Sequence, residues 1–464
     1  MSLKYRHTFS LAMCAIVAST SLVACSSASE PATEGASSSG MENTSGSAPS
    51  GQNEQDRQFD TGPYRTTPHS GWTMDDRLGA VSETNAIAQN TLLPYEIDAN
   101  LTKGRAPQRQ TAYAFFTMLF DKPTQEALAE LEPNFLTGFA NGGKTENGDK
   151  TVDNGIYRFV DAASAQRAVD IISQRQYPTG TTFPLRGDEE QLSPLEIPGH
   201  PEAVGKASPR LDSANAVIAH NEFVIFTSAS NKLPLPTQSG EHAQTSSEGH
   251  QWMAQYFGAF FGKQIPLLDT IPTKKTEQGF GKSDEWPPLD PDGMLKYTVM
   301  PPDGVDRVGP HPAATNNRMM AGNYVDQKQL LSALNQANVV ASAQGETMLF
   351  RTKNQPSAEL LRASMNVIDA TGAPQEYDEP QGLPDTTCYT APTERGNVHT
   401  CHLVEGNYFA TASVREPSPA LDETPEVGGK ETAAGQTEDV DPRKRLSQIM
   451  AAQYVLLKDA PKSS

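Results

Sequence analysis

Apolar and polar positions along the chain follow the same order twice, first as a strand and then as a helix. Residues 156–160 and residues 348–352 are short, mostly apolar segments that indicate strands, and Arg158 of the first aligns with Arg351 of the second. Asp161 and Asn354 follow these runs, and both are residue types whose side chains cap helix N-termini. The helix after each cap carries one apolar stripe at helical spacing, formed by Ala165, Ala168, Val169 and Ile172 in the first copy and by Leu361, Met365 and Ile368 in the second.

The same order continues downstream of these two helices. Residues 216–230 and residues 399–414 each have the alternation and central turn of a β-hairpin. A helix then closes each copy, at residues 250–263 and 443–452, and runs into a Gln-containing apolar segment. Three matches in one order predict a duplication. The fold class that follows is α+β, with two pseudo-repeated β-α-β-β-α units whose helices pack on one face of antiparallel sheets.

Stretches without periodicity divide the chain into domains. A first α+β domain is predicted at 58–271 and a second at 323–464, with a Pro-rich connector at 272–322 between them. Residues 415–441 are rich in acidic residues, Pro and Gly, so we expect a disordered acidic loop inside the second domain.

The N-terminus has the pattern of a bacterial lipoprotein. A short basic start precedes an apolar run at 9–24, which is the length of a signal-peptide core and too short to span a membrane. The run ends in Leu-Val-Ala-Cys, a lipobox that predicts cleavage after residue 24 and acylation of Cys25. An ordinary secretory signal with a chance cysteine is the alternative. Residues 25–57 are almost entirely small and polar and predict a disordered Ser/Gly-rich tether.

The charge of the chain limits its partners. Among 464 residues, Lys and Arg number 37 and Asp and Glu number 56, so the formal net charge is −19. Such an acidic chain is a poor match for nucleic acid, because binding to phosphate backbones depends on cationic side chains. We therefore expect no nucleic-acid partner. The lipobox separately predicts an extracytoplasmic protein that the lipid on Cys25 anchors to the outer face of the cell membrane.

Two cysteines remain once Cys14 leaves with the signal peptide and Cys25 is acylated. Cys388 and Cys401 flank turn-forming sequence and would lie in a compartment that permits disulfides. A disulfide across a hairpin is the favoured prediction. A zinc site with His399 and His402 is the alternative, although the C-x₂-C spacing of common zinc sites is absent.

Several short segments resemble those of one protein family. They are the lipobox before Cys25, Asp60-Thr61-Gly62-Pro63-Tyr64, Tyr157-Arg158-Phe159, Asp290-Pro291-Asp292-Gly293-Met294-Leu295, the pair Cys388 and Cys401, and Ala452-Gln453-Tyr454. Together they resemble a family of envelope lipoproteins from mycolate-bearing actinobacteria that carry a paired domain of unknown function. The resemblance implies an architecture and a location, and it implies no activity.

The sequence contains no common catalytic signature. Neither H-E-x-x-H nor G-x-S-x-G occurs, and residues 279–283 lack the first glycine of a phosphate loop. We therefore predict no catalytic, cofactor-binding or metal-binding residue. The predicted function is a non-enzymatic binding or interaction module for an envelope lipid, a cell-wall component or a protein partner, in the cleft between the two copies. A hydrolase acting on envelope polymers is the alternative. The aromatic residues at 252–261 either line that cleft or, as we favour, pack in the core.

Overall fold

The computed structural model describes residues 59–174, 192–208, 212–231, 247–271, 275–276, 279–280, 287–302, 313–369, 374–377, 383–393, 396–416 and 441–462. The predicted signal peptide, Cys25, the tether at 25–57 and residues 417–440 of the predicted acidic loop lie outside these ranges. Within them, no helix combines the length and the apolar character needed to cross a bilayer.

Two seven-stranded antiparallel sheets dominate the described residues. The first consists of β1 (Lys103–Gln110), β2 (Phe135–Lys144), β3 (Lys150–Phe159), β4 (Ser193–Leu195), β5 (Val204–Ser208), β6 (Ser213–His220) and β7 (Phe223–Asn231). A two-stranded hairpin follows, with β8 (Lys275–Thr276) and β9 (Gly279–Phe280). The second sheet consists of β10 (Ala313–Thr315), β11 (Val339–Gln344), β12 (Met348–Thr352), β13 (Gln375–Tyr377), β14 (Thr386–Thr393), β15 (Gly396–Glu405) and β16 (Tyr408–Arg415).

The two sheets repeat one topology. Their spatial orders are β1-β2-β3-β7-β6-β5-β4 and β10-β11-β12-β16-β15-β14-β13, so strands of the same rank occupy the same place. The α+β class is confirmed, and the repeating unit is longer than the predicted β-α-β-β-α outline. Strand β10 lies inside the predicted connector at 272–322, so the second sheet begins before residue 323. A strand of three residues is too short to show a periodic pattern in the sequence.

Nine α-helices lie in the described ranges, and all but the first have a counterpart at the equivalent place in the other unit. They are α1 (Asp76–Gln89), α2 (Tyr113–Thr117), α3 (Lys122–Leu128), α4 (Ala162–Gln174), α5 (Ser247–Leu268), α6 (Asn317–Gly322), α7 (Gln327–Gln336), α8 (Gln355–Asp369) and α9 (Pro442–Lys458). Helices α4 and α8 follow the third strand of each sheet, and α5 and α9 follow the seventh. Each sheet has one apolar core on the α4 or α8 side and another on the α5 or α9 side. The helices therefore cover both faces of each sheet, which corrects the prediction of a single covered face.

The predicted helix caps are present in both copies. The Asp161 carboxylate accepts a hydrogen bond from the Ser164 backbone N–H at 2.7 Å, and the Asn354 side chain accepts one from the Ser357 N–H at 3.1 Å. These bonds satisfy N–H groups that have no partner within the helix. The cap thus fixes where each of the two helices leaves its third strand.

The two units are interlocked rather than merely adjacent. Leu93, which follows α1, is buried in a core of the second sheet, whereas Ala313 and Met319 are buried in a core of the first. Helix α1 contributes Val81 to one unit and Ile87 to the other. The exchange of side chains brings the end of α1 against β10 and α6, where a cleft forms.

Candidate functional site: an interdomain cleft

A cleft with a volume of about 470 Å³ lies where the two units meet. Its first wall comes from the end of α1 and the short 3-10 helix Pro94–Glu96, and its second from β10, α6, α7 and β11. The lining residues are Gln89, Glu96, Pro291, Asp292, Ala314, Thr315, Asn316, Asn317, Arg318, Leu331, Asn335, Val339, Val340 and Ala341. Carboxamide or charged groups belong to seven of these fourteen residues, so the lining is mixed, with polar and apolar parts of similar size.

Hydrogen bonds from Asn316 and Gln89 hold the two walls together. The Asn316 side-chain oxygen caps α6 by accepting from the Met319 N–H at 2.9 Å, and its Nδ2 donates to the Gln89 backbone carbonyl at 2.9 Å. The Gln89 Nε2 in turn donates to the Ala314 carbonyl at 3.1 Å. The cap of one helix therefore also fixes the end of another.

An ion pair between Glu96 and Arg318 spans the two walls. The Arg318 Nε and Nη2 each donate to a different oxygen of the Glu96 carboxylate, both at 3.0 Å. The Glu96 Oε2 also accepts from the Leu93 N–H at 2.8 Å. Two parallel bonds between a guanidinium and a carboxylate are strong and directional, so this pair is a fixed part of the cleft.

The carboxamides of Asn317 and Asn335 are bonded to each other, and part of their capacity has no partner within the described part of the chain. The Asn317 Nδ2 donates to the Asn335 Oδ1 at 3.0 Å and to the Val339 carbonyl at 3.4 Å. The Asn335 Nδ2, the Asn317 Oδ1 and the Gln89 Oε1 have no hydrogen-bond partner among the described residues. A donor and two acceptors in one cleft fit a ligand that carries amide groups.

The lining also includes an exposed valine, and a second ion pair lies beside the cleft. Val340 is 61% exposed and lies where the β11–β12 register shifts between Val339 and Ala341. Arg351, which pairs with Ala341 across these strands, contacts Asp292 at longer range: its Nη1 is 3.4 Å from the Asp292 carbonyl and its Nη2 is 3.9 Å from the Asp292 Oδ1. This second pair is looser than the pair of Glu96 and Arg318.

The predicted disulfide is present and excludes the zinc alternative. Cys388 and Cys401 are direct partners across β14 and β15, and their sulfur atoms are bonded. His399 and His402 lie on opposite faces of β15 because side chains alternate along a strand. His399 contacts Thr390 and Glu416, each at 2.8 Å, whereas His402 contacts Asn366 at 2.6 Å. Within the described ranges, no cluster of three or more His, Cys, Asp or Glu side chains has metal-binding geometry.

The aromatic side chains of α5 belong to the core rather than to the cleft. Tyr256, Phe257, Phe260 and Phe261 are buried in the core of the first sheet. The Tyr256 hydroxyl accepts from the Asn154 Nδ2 at 3.1 Å. The favoured prediction of core packing is therefore confirmed.

The residues that do form the cleft are far apart in the sequence. Glu96 and Arg318 are separated by 222 positions, and nothing local marks either as a partner of the other. Two sequence signals fall on the lining: the Asp-Pro-Asp-Gly segment that contains Pro291 and Asp292, and Asn316, a capping residue type before a short helix. Neither marks a binding site, because the first is typical of a turn and capping residues are common. Sequence reasoning anticipated a cleft between the copies and missed its residues.

Both parts of one protein family match the chain. The family described as Domain of unknown function (DUF7373) N-terminal matches residues 72–280, and the one described as Domain of unknown function (DUF7373) C-terminal matches residues 294–417. No curated protein matches the chain. Among solved structures, the extracellular domain of PknH from Mycobacterium tuberculosis is 11% identical with a TM-score of 0.24, over 44% of this chain and 99% of that chain. A TM-score of this size does not establish a common fold.

Proposed function

We propose that this chain, which carries both the N-terminal and the C-terminal domain of the DUF7373 family, is a lipid-anchored extracytoplasmic binding module. Its ligand would be a polar component of the cell envelope held in the interdomain cleft. The observation that carries the proposal is the cleft of about 470 Å³ with unused carboxamide atoms on both of its walls. Small-molecule sites commonly occupy such concave junctions between domains.

The lining favours a cell-wall component over a lipid chain or a flat protein partner. An acyl chain would leave the carboxamides of Asn335, Asn317 and Gln89 without partners, and burying unpaired polar groups costs free energy. A non-enzymatic role is favoured because both oxygens of the Glu96 carboxylate are already engaged, by Arg318 and by a backbone N–H.

Native mass spectrometry of the full chain, purified from the membranes of its own host, tests the binding role. We expect a reproducible excess mass in the wild type and in Gln336→Leu, which changes an exposed neighbour on α7 outside the cleft. Asn335→Leu should lose that mass, because it removes the unused donor and inserts an apolar side chain. An apo mass for the wild type, or an excess mass kept by Asn335→Leu, would contradict a ligand in this cleft.

The extracytoplasmic location is supported by the lipobox before Cys25 and by the Cys388–Cys401 disulfide, since disulfides persist in oxidising compartments. Fractionation of cells that express Cys25→Ala tests the anchor. The variant should leave the membrane fraction or keep its signal peptide, whereas Cys14→Ala should behave like the wild type. A Cys25→Ala protein of normal mass in the membrane fraction would contradict lipidation at Cys25.

A hydrolase is the second candidate, and one arrangement favours it. Thr390, His399 and Glu416 form a hydroxyl–imidazole–carboxylate chain with contacts of 2.8 Å on each side of the imidazole. Such chains activate nucleophiles in hydrolases. We place the hydrolase second because the His399 ring is buried. A substrate would have to reach the Thr390 hydroxyl that this ring contacts. Release of labelled cell-wall fragments by the wild type and not by Thr390→Val would favour it over the binding role.

A further inference from the structure

The duplication places two arginines at the same position of the fold. Arg158 is the penultimate residue of β3 and pairs with Phe223, the first residue of β7. Arg351 is the penultimate residue of β12 and pairs with Tyr408, the first residue of β16. The first copy therefore provides an internal reference for what surrounds a guanidinium at this position.

In the first copy the guanidinium is held by two carboxylates. The Arg158 Nη1 bonds to Glu83, and its Nη2 donates to the Glu222 Oε1 at 3.0 Å. All three side chains are buried. The charge of Arg158 is thus balanced within the protein, and no ligand can approach it.

In the second copy one carboxylate is missing. Asn407 directly precedes β16, as Glu222 precedes β7, and its side chain donates to the Thr352 carbonyl at 3.0 Å. Asp292 is the carboxylate beside Arg351, and its nearer carboxylate oxygen is 3.9 Å from the guanidinium. The Arg351 side chain is 27% exposed, whereas that of Arg158 is fully buried.

The partly exposed arginine lies beside the cleft, next to two residues of the lining. Ala341 lines the cleft and is the cross-strand partner of Arg351, and Asp292 both lines the cleft and contacts the guanidinium. A guanidinium prefers a carboxylate that accepts two parallel hydrogen bonds, and Asp292 does not provide that geometry. The carboxamide of Asn407 takes the place that Glu222 has in the first copy, and Arg351 also hydrogen-bonds the Tyr408 side chain. Among the described residues no carboxylate makes a two-bond contact with Arg351, so the exposed part of its guanidinium can accept one from a ligand.

We propose that Arg351 is the anion-recognition residue of this cleft, and that the ligand is a peptide-like molecule with a free carboxylate and amide groups. The inference rests on the proposed binding function and names its ligand class. The ligand carboxylate displaces Asp292 from Arg351, while the ligand amides bond to Asn335, Asn317 and Gln89. Asp292 thus competes with the ligand for the same cation.

Calorimetric titration of the detergent-solubilised full chain with N-acetyl-alanyl-alanine and with its C-terminal amide tests this assignment. The two probes differ only in the carboxylate. We expect the wild type to bind the acid at least about 10-fold more tightly than the amide, since only the acid offers the guanidinium a charged acceptor. Arg351→Gln should bind both probes equally, and Arg362→Gln, a half-buried arginine on α8 paired with Glu359, should behave like the wild type.

Asp292→Asn gives a result that a merely structural role would not give. Removing the competing carboxylate should strengthen binding of the acid and leave binding of the amide unchanged. This variant also keeps the test valid if Arg351→Gln fails to fold. Equal binding of acid and amide by the wild type, unchanged discrimination in Arg351→Gln, or no binding of either probe to the wild type and Asp292→Asn would each overturn the assignment. An excess native mass together with any of these results would leave the binding function standing and refute the ligand class.

Discussion

The buried cluster of Arg158, Glu83 and Glu222 places one positive charge between two carboxylates inside the first unit. Burial raises the pKa of Glu83; Arg158 opposes this increase and the nearby Glu222 adds to it. A charge of this kind is tolerated only while its partners remain, because removal from water costs each ion several kcal/mol. The cluster joins α1 to the third strand and to the β6–β7 turn.

Arg158→Met tests the cluster by leaving two buried carboxylates without their cation. We expect the free energy of unfolding to fall by about 3–5 kcal/mol at neutral pH, measured by urea denaturation. The matched control is Arg351→Met, which removes the equivalent but partly exposed arginine and should cost much less. Equal losses for the two variants would show that burial of the charge is not what makes Arg158 important.

The raised pKa of Glu83 predicts a pH dependence of known sign. The folded protein holds the Glu83 proton more tightly than the unfolded chain, whose pKa is near the ordinary value of 4.5. The free energy of unfolding contributed by this residue therefore decreases as the pH rises from 4.5 through the higher folded pKa. Glu83→Gln should remove this decrease, seen as a wild-type minus variant difference that changes with pH in urea denaturation. A difference that stays constant across this range would contradict the raised pKa.

At the scale of elements, α5 and α9 repeat one buried glutamine. The Gln264 Oε1 accepts from the Leu92 N–H at 2.9 Å, and its Nε2 donates to the Asn90 carbonyl at 2.8 Å. The Gln453 side chain makes the same pair of bonds to the Val299 N–H at 3.2 Å and the Tyr297 carbonyl at 2.7 Å. Each closing helix thus fastens the segment that leads into the first strand of its own sheet.

Gln453→Leu tests this fastening. It conserves apolar packing but leaves the Val299 N–H, the Tyr297 carbonyl and the Thr347 hydroxyl without their bonds. We expect a loss of roughly 3 kcal/mol in the free energy of unfolding, since each unsatisfied buried group costs about 1–3 kcal/mol and relaxation recovers part of it. Gln336→Leu, at an exposed site, should change stability by less than about 0.5 kcal/mol. A loss as small as that of the control would mean that these bonds do not hold the segment.

The elements that the sequence predicted are those with strong local signals. The amphipathic helices α4 and α8, their caps at Asp161 and Asn354 and the two central hairpins follow directly from periodicity. Strands β1 and β2 were missed because the first is an edge strand rich in Lys, Arg and Gln, and the second contains three glycines. Both compositions weaken the β signal. The cleft was out of reach for a different reason: it depends on the Glu96–Arg318 pair, which only the packing of the two units brings together.

At the scale of the whole molecule, the interlocked cores predict that the two units unfold together. Leu93 from the first unit is only 2% exposed and packs among the buried side chains of α6, α7 and α8, while Met319 from the second unit packs in the core of the first. Neither sheet can lose its structure without exposing apolar surface of the other. Calorimetry of the chain without its signal peptide should therefore give one transition, with equal calorimetric and van't Hoff enthalpies.

Leu93→Ala distinguishes interlocked cores from two independent domains in contact. The substitution should cost about 2–5 kcal/mol through the cavity that it leaves, and it should lower the single Tm without splitting the transition. Val325→Ala, at a side chain that is 66% exposed, is the matched control and should leave the Tm near that of the wild type. A second transition in the wild type, or a Leu93→Ala transition in which only half of the enthalpy moves, would contradict the interlocking. One cooperative body would also keep the walls of the cleft at a fixed separation, so that Glu96, Arg318 and the carboxamides would be in position before the proposed ligand binds.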